Sequence, residues 1–272
     1  MVKGGRDRAR RAAGGGGAAM NGLPRGQRRS AAQEIAACSV MTAILIAGQA
    51  VFAQVSGIEI VTVLLLTFSW SFGPKDGVLA AVAFSLLRCF LWGFHPPAIA
   101  LYLLYYPAFA LLFGTFGKSS PRRFAAAQCS AANGALILLA AACAVLASTD
   151  TLKLTMLEVE AIRALLWVIF ALCAALLLLL NGALLLRRAL PRAEALVRVI
   201  PVVALAALCT VCFTLLDDIL TPLFYGIEWG STAFVSYFYA SFLALVPQTL
   251  CTIVTVGALF FPLTSTFSRI RH

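Results

Sequence analysis

Residues 164–186, ALLWVIFALCAALLLLLNGALLL, decide the class of this fold. The stretch has no charged side chain, and Asn181 is its one strongly polar residue. A helix needs about 20 mainly apolar residues to cross the hydrocarbon core of a bilayer. The stretch therefore predicts a transmembrane helix. A membrane β-strand would alternate apolar and polar residues, and this run does not.

Similar apolar runs fill most of the chain. Hydrophobic residues make up 61% of the 272 residues and charged residues 12%, against about 45–50% and 25% in soluble domains. We expect an all-α, polytopic transmembrane bundle of about eight helices, and we exclude a soluble enzyme, a disordered chain and a fibrous protein. The other predicted spans are 34–54, 57–73, 77–94, 97–116, 124–148, 199–220 and 234–262. The second and third spans are short, which is also compatible with tilted or partly re-entrant helices.

The charged residues predict how the chain is organised around these spans. Residues 1–31 carry eight Lys and Arg residues and a run of four glycines at 14–17, which predicts a disordered basic tail. We expect this tail to contact anionic lipid rather than nucleic acid. The transmembrane domain covers 32–265, and 266–272 forms a second tail. With both termini in the cytosol, 18 of the 21 Lys and Arg residues lie inside and only Lys153 and Arg163 outside, as the positive-inside rule requires.

With that orientation, polar and aromatic residues concentrate near the outer ends of the helices, while the inner halves are almost purely aliphatic. This distribution is typical of a receptor that is open to one side of the membrane. The candidate binding residues are Glu59, Arg88, Trp92, His95, Tyr105, Asp217, Asp218, Trp229, Tyr237 and Gln248. Tyr105 lies deep enough to line a cavity, and Gln248, after Pro247, is a candidate floor of a pocket or a helix-packing contact.

Arg88 is the most informative of these residues, because an ionised side chain inside a span is usually functional. Helical spacing places four residues on one face: Ser85, Arg88, Trp92 and His95. The Arg88 guanidinium can clamp a carboxylate or phosphate, stack on a ring, pair with Asp217 or Asp218, or extend to the headgroups. The two aspartates are adjacent in sequence, so they point about 100° apart on a helix.

Motifs for catalysis or cofactor binding are absent from the sequence. There is no HExxH and no GxSxG, so we expect no metal, no cofactor and no catalysis by this chain. All eight cysteines lie in apolar segments. The pair Cys209 and Cys212 has no second Cys or His pair nearby, so we interpret the cysteines as small buried hydrophobic residues.

Several short stretches together resemble the substrate-binding (S) components of energy-coupling factor transporters. They are GIEIV at 57–61, FGPKDG at 72–77, FTLLDD at 213–218, VPQT at 246–249 and FPL at 261–263. The resemblance covers about 34–118 and 199–265. Members of that family usually have six helices, so 124–186 would be an inserted helical hairpin.

The resemblance implies a function. Such components bind a vitamin or similar micronutrient at the extracellular face and dock on a transmembrane coupling subunit driven by two cytosolic ATPases, which use the ATP. Docking in the family uses small residues on the first helix, often AxxxA, a spacing matched here by Ala32, Ala36, Ala43 and Ala47. Small residues at this spacing let helices approach closely.

Two other functions stay open from the sequence. A stand-alone channel or carrier would need polar residues through the full depth of the membrane. An intramembrane enzyme would use Asp217, Asp218 or His95 with a second polar group placed opposite.

Overall fold

A computed structural model describes residues 30–52, 60–118, 121–149, 156–186 and 191–271. Within these ranges the chain forms eight α-helices, which confirms the expected all-α fold and number of helices. The helices are α1 (Ala31–Phe52), α2 (Val61–Phe72), α3 (Pro74–Trp92), α4 (Pro96–Lys118), α5 (Pro121–Ser148), α6 (Met156–Leu186), α7 (Pro191–Phe224) and α8 (Thr232–Arg271). The basic tail up to residue 29 and Glu59 lie outside the described residues.

Six of the described helices are long and apolar enough to cross a membrane: α1, α4, α5, α6, α7 and α8. The chain is therefore a multi-pass membrane protein. Six of the eight expected spans are supported by length and composition. Helix α2 has 12 residues, about 18 Å of helix against a hydrocarbon core of about 30 Å. Helix α3, with Lys75, Asp76 and Arg88 in its sequence, is not among the six. Helix α8 continues through 266–271, where we expected only a tail.

The chain divides into two units, residues 1–36 and 37–272. In the first unit, the described residues begin helix α1 with a reciprocal cap. The Gln33 backbone N–H donates to the Ser30 hydroxyl at 3.3 Å, and the Ser30 N–H donates to the Gln33 side chain at 3.1 Å. Two of the otherwise unpaired amides of the first turn are satisfied in this way.

In the second unit, glycines bring α2, α3 and α4 together at what we call the Gly73 end of the bundle. Gly73 has φ 102°, a conformation that only glycine adopts readily, and it lets Pro74 begin α3 directly after α2. Gly114 of α4 lies so close that a Cβ there would be 2.5 Å from the Pro74 Cα. A Cβ on Gly117 would collide with the backbone of Trp70. The helices therefore pack backbone against backbone at this end.

Aromatic rings close the same end. Phe267 near the end of α8 lies 6.1 Å from Phe68 and 5.9 Å from Phe72 of α2, measured between ring centroids. Trp70 lies 5.3 Å from Phe260. In the predicted orientation the Gly73 end belongs to the inner half of the membrane, where we expected almost purely aliphatic helices. The structure instead has large aromatic rings at this end, because they fill the space between α2 and α8.

The remaining packing follows the order of the chain. The neighbouring pairs α3–α4, α5–α6 and α7–α8 pack along their lengths, and α7 also contacts α4, α5 and α6. The pair α5–α6, which covers most of 124–186, includes a hydrogen bond of 3.0 Å from Asn181 to Asn133. Apolar side chains cover the exterior: Leu185 is 84% exposed and Leu178 is 76% exposed, as expected for residues that face lipid.

Candidate functional site

The α3–α4 pair holds Arg88 against a tyrosine ring. The buried Ser85 hydroxyl of α3 lies 2.8 Å from the backbone oxygen of Ala81 in its own helix and 3.0 Å from that of Tyr102 on α4. Its single hydrogen is shared between these two acceptors, which links α3 to α4 at this level. One turn further along α3, the Arg88 Cζ lies 3.8 Å from the centroid of the Tyr102 ring. This is a cation–π contact, which attracts a guanidinium to the electron-rich face of the ring.

The polar atoms of Arg88 are incompletely satisfied. Its Nε is buried and has no hydrogen-bond partner. Among the described residues, Arg88 forms no ion pair with Asp217 or Asp218, so the structural pair that the sequence allowed is not formed. The guanidinium also turns towards α4 rather than away along its own helix. The ring on which the guanidinium stacks is therefore one of the chain's own, Tyr102.

Tyr102 belongs to a cluster of rings from α3, α4 and α7 that we call the aromatic group. Its members are Phe84, Tyr102, Tyr105, Tyr106, Phe109 and Phe213. Phe213 of α7 joins it to the rest of the site, with its ring centroid 4.8 Å from Tyr105 and 5.7 Å from Tyr102. Tyr105 is half-buried in this cluster. Sequence reasoning did not select Phe213, although it lies one turn before Asp217.

The two aspartates of α7 have different partners. Asp218 is 3% exposed and accepts a hydrogen bond of 2.9 Å from Ser241 of α8. Asp217 is half-buried and accepts one of 2.9 Å from Thr221, one turn further along α7. The Tyr237 side chain lies beside Thr221 and Asp217. Adjacent positions on a helix point in different directions, so this division agrees with the expectation from sequence.

Hydrogen bonds continue from Asp218 towards the middle of the bundle. Thr214 donates to Gln248 Oε1 at 3.4 Å, and the buried hydroxyls of Thr210 and Thr252 lie 3.0 Å apart. Together with the bond from Ser241 to Asp218, these bonds form what we call the α7–α8 seam, which covers about 12 Å of α7. Gln248 therefore makes a helix-packing contact. The signal in the sequence that we did not use is the four-residue spacing of positions 210, 214 and 218.

The structure separates other candidates from this cluster. Helix α3 ends at Trp92, and Gly93 has φ 99°, so His95 is not on the helical face that we predicted. A positive φ turns the chain out of the helix, which is why the spacing fails there. His95 is exposed in the turn, and Trp92 is half-buried. Trp229 is 59% exposed between α7 and α8, with its ring 5.0 Å from that of Phe234.

The four alanines predicted for docking are all accessible. In the first unit, Ala32 and Ala36 are exposed. In the second unit, Ala43 and Ala47 are exposed on the opposite side of α1 from its buried residues Met41, Thr42 and Leu45. Small, exposed side chains on a membrane helix allow close approach by another helix.

Most of the cysteines are buried between the helices, as expected, but three are not. Five of them are buried: Cys38, Cys89, Cys129, Cys143 and Cys173. Cys209 and Cys251 are half-buried, and Cys212 is exposed. In the described ranges, no group of three or more His, Cys, Asp or Glu side chains is arranged to hold a metal ion.

Comparisons of the chain with protein-family models, curated proteins and solved structures found no match. Function is therefore inferred from the residues and their geometry. Two groups of side chains meet through the aromatic group: Arg88 on Tyr102, and the aspartates of α7 with their partners on α8. We call the end of the bundle that holds both groups the Arg88 end.

Proposed function

We propose that this protein is the membrane-embedded substrate-binding subunit of an ATP-driven uptake transporter of the energy-coupling factor type. In this proposal it captures a vitamin-like small molecule at the extracellular face. The observation that carries the proposal is the asymmetry of the bundle. Arg88, the aromatic group and both aspartates gather at the Arg88 end, whereas the Gly73 end is closed by ring and backbone packing.

The chemistry of the Arg88 end supports a small organic ligand. Aromatic side chains provide flat apolar contacts, and a few placed polar groups then fix the orientation of a bound molecule. Arg88 offers donors to an acidic group. Asp217, which is half-buried, offers acceptors to an amino group.

The surface of α1 supports the second half of the proposal, which is docking on a transmembrane coupling subunit. In the second unit, the exposed alanines Ala43 and Ala47 would let a partner helix pack closely against α1. The chain itself would be non-catalytic and would bind no cofactor. Two ATPase subunits in the cytosol would supply the energy, and both termini would lie on their side of the membrane.

A stand-alone carrier is the second candidate, and one observation favours it. The α7–α8 seam continues from Asp218 to the Thr210–Thr252 pair, which lies well inside α7. A carrier needs polar groups at such a depth, whereas a receptor open at one end does not. The two candidates differ in whether the chain works with partner subunits.

Purification from native membranes in a mild detergent, followed by mass spectrometry of proteins and small molecules, tests the proposal. We expect a coupling subunit, two ATPases and a bound micronutrient to accompany the chain. A chain that carries neither partners nor ligand would contradict the proposal and favour the stand-alone carrier.

A pair of double variants makes the docking test specific. Ala43→Leu with Ala47→Leu should lower the yield of the coupling subunit, because the larger side chains keep a partner helix away. Ala127→Leu with Ala131→Leu is the matched control, since these alanines have the same spacing and are exposed on α5. Equal yields from the two double variants would exclude the α1 surface as the docking site.

A further inference from the structure

The Arg88 guanidinium has no counter-charge among the described residues. It lies in an apolar environment near the end of α3, and among the described residues neither Asp217 nor Asp218 pairs with it. Its Nε is buried without a hydrogen-bond partner. An ionised side chain at membrane depth is costly, and a buried donor that is left unpaired costs further free energy.

The contact with Tyr102 offsets only part of the free energy that burial of the Arg88 guanidinium costs. A ring 3.8 Å from Cζ covers one face of the planar guanidinium, whereas the N–H groups point outward in the plane, along its edges. A carboxylate or phosphate accepts two parallel hydrogen bonds from such an edge. Tyr102 therefore orients the guanidinium and does not occupy its donors.

The surroundings of Arg88 favour a planar partner. Tyr102 continues into the aromatic group through Phe213, 5.7 Å away between centroids, and Phe213 also contacts Tyr105 at 4.8 Å. Rings of a ligand and of a protein pack well in offset or edge-to-face arrangements. An anionic group placed at Arg88 would have these rings next to it.

We infer that Arg88 binds an organic anion, a carboxylate or a phosphate, with Tyr102 as the platform that orients the guanidinium. The anion comes either from a soluble planar acid or from the headgroup of an anionic lipid. That it belongs to the transported molecule rests on the proposed function. Anion binding itself can be measured on the purified chain, without partner subunits.

Ligand-observed fluorine NMR on the full chain in phosphatidylcholine nanodiscs tests the inference. The probes are 4-fluorobenzoate and its neutral analogue 4-fluorobenzamide. We expect the wild-type chain to bind the benzoate at least tenfold more tightly than the benzamide, and Arg88→Gln to remove this preference. Arg88→Lys keeps the charge but lacks the planar fork, so it should retain a weaker preference. Arg198→Gln is the matched control, because Arg198 is exposed and paired with Glu194, and it should behave as wild type.

A second arm identifies a lipid anion. The chain is extracted from vesicles of phosphatidylcholine with phosphatidylglycerol, and the retained lipid is measured by native mass spectrometry. We consider the case in which the wild-type chain retains phosphatidylglycerol, Arg88→Gln loses it and 4-fluorobenzoate does not displace it. This result would support anion binding at Arg88 and identify the lipid headgroup as the anion. If Arg88→Gln does not fold, Arg88→Lys provides the comparison.

The inference is overturned if the wild-type chain shows no preference for the benzoate and no retention of phosphatidylglycerol that depends on Arg88. It is also overturned if Arg88→Lys matches the wild-type chain in both arms. Either result leaves the co-purification of partner subunits untouched, so failure of this inference is distinguishable from failure of the proposed function.

Discussion

Gly114→Ala is the substitution for which the structure makes the sharpest prediction. The new Cβ would lie 2.5 Å from the Pro74 Cα and 2.6 Å from the Pro74 nitrogen, well inside van der Waals contact. Both neighbours are backbone atoms at the start of α3, so no side-chain rotation relieves the collision. The helices must separate, and overpacking of this kind costs about 1–3 kcal/mol.

The same substitution at Gly134 of α5 is the matched control. No heavy atom lies within 4 Å of a Cβ built there. Alanine is a better helix former than glycine by about 1 kcal/mol, so Gly134→Ala should be neutral or slightly stabilising. The two variants add the same methyl group to helices of the same bundle, and they differ in what that methyl group meets.

Unfolding can be followed with the protein's own thiols. Cys209, Cys212 and Cys251 are not buried and are replaced by alanine in every variant. The five remaining cysteines are buried, so a thiol-reactive dye becomes fluorescent as the bundle opens. Both variants gain the helix propensity of alanine, so the overpacking cost is the difference between them. At about 2–4 °C per kcal/mol for a chain of this size, Gly114→Ala should melt about 2–12 °C below Gly134→Ala. Equal melting temperatures for the two variants would refute the close packing of α4 on the α2–α3 turn.

Three further predictions concern the α7–α8 pair. Ser241→Ala removes the hydrogen bond to the buried Asp218 and should lower the free energy of unfolding by about 1–3 kcal/mol, measured by the same dye; an unchanged melting temperature would mean that the bond contributes nothing. Thr210→Val and Thr252→Val should each lower the free energy of unfolding, and the double variant should lower it by less than the sum of the two single effects. The difference should be about 0.6 kcal/mol, as in other membrane helices. Strictly additive effects would contradict the contact between the two hydroxyls. Trp229→Cys should react with an impermeant maleimide on intact cells while the wild-type chain does not, and labelling only after permeabilisation would reverse the orientation we expect.

The all-α fold follows from the sequence because each long apolar run admits one structure in lipid. Run lengths alone did not separate the six long spans from α2. Residues 57–73 contain enough apolar side chains to cross a bilayer, but α2 covers only Val61–Phe72. The close approach of Gly114 to Pro74 depends on how helices dock, which no local pattern encodes.

The sequence identified site residues whose charge is unusual in an apolar segment. It did not identify residues that join the site only through helix packing. Arg88 and Asp218 are charged residues in apolar segments, which one sequence is enough to show. Phe213 resembles every other apolar residue of its helix until α4 places Tyr102 and Tyr105 beside it. His95 was misplaced because helical spacing was continued past the glycine that ends α3.

The two halves of the Arg88 end belong to different helical hairpins. Arg88 and Tyr102 both lie in the α3–α4 hairpin, and Asp218 and Ser241 both lie in the α7–α8 hairpin. Across the boundary the contacts we describe are those of Phe213 with the tyrosine rings, which have no fixed donor and acceptor and so tolerate small displacements. One hairpin can slide on the other without breaking the hydrogen bonds inside either, as in shear motions of packed helices. Such a sliding motion would change the distance between Arg88 and Asp218 while each keeps its partner within its own hairpin.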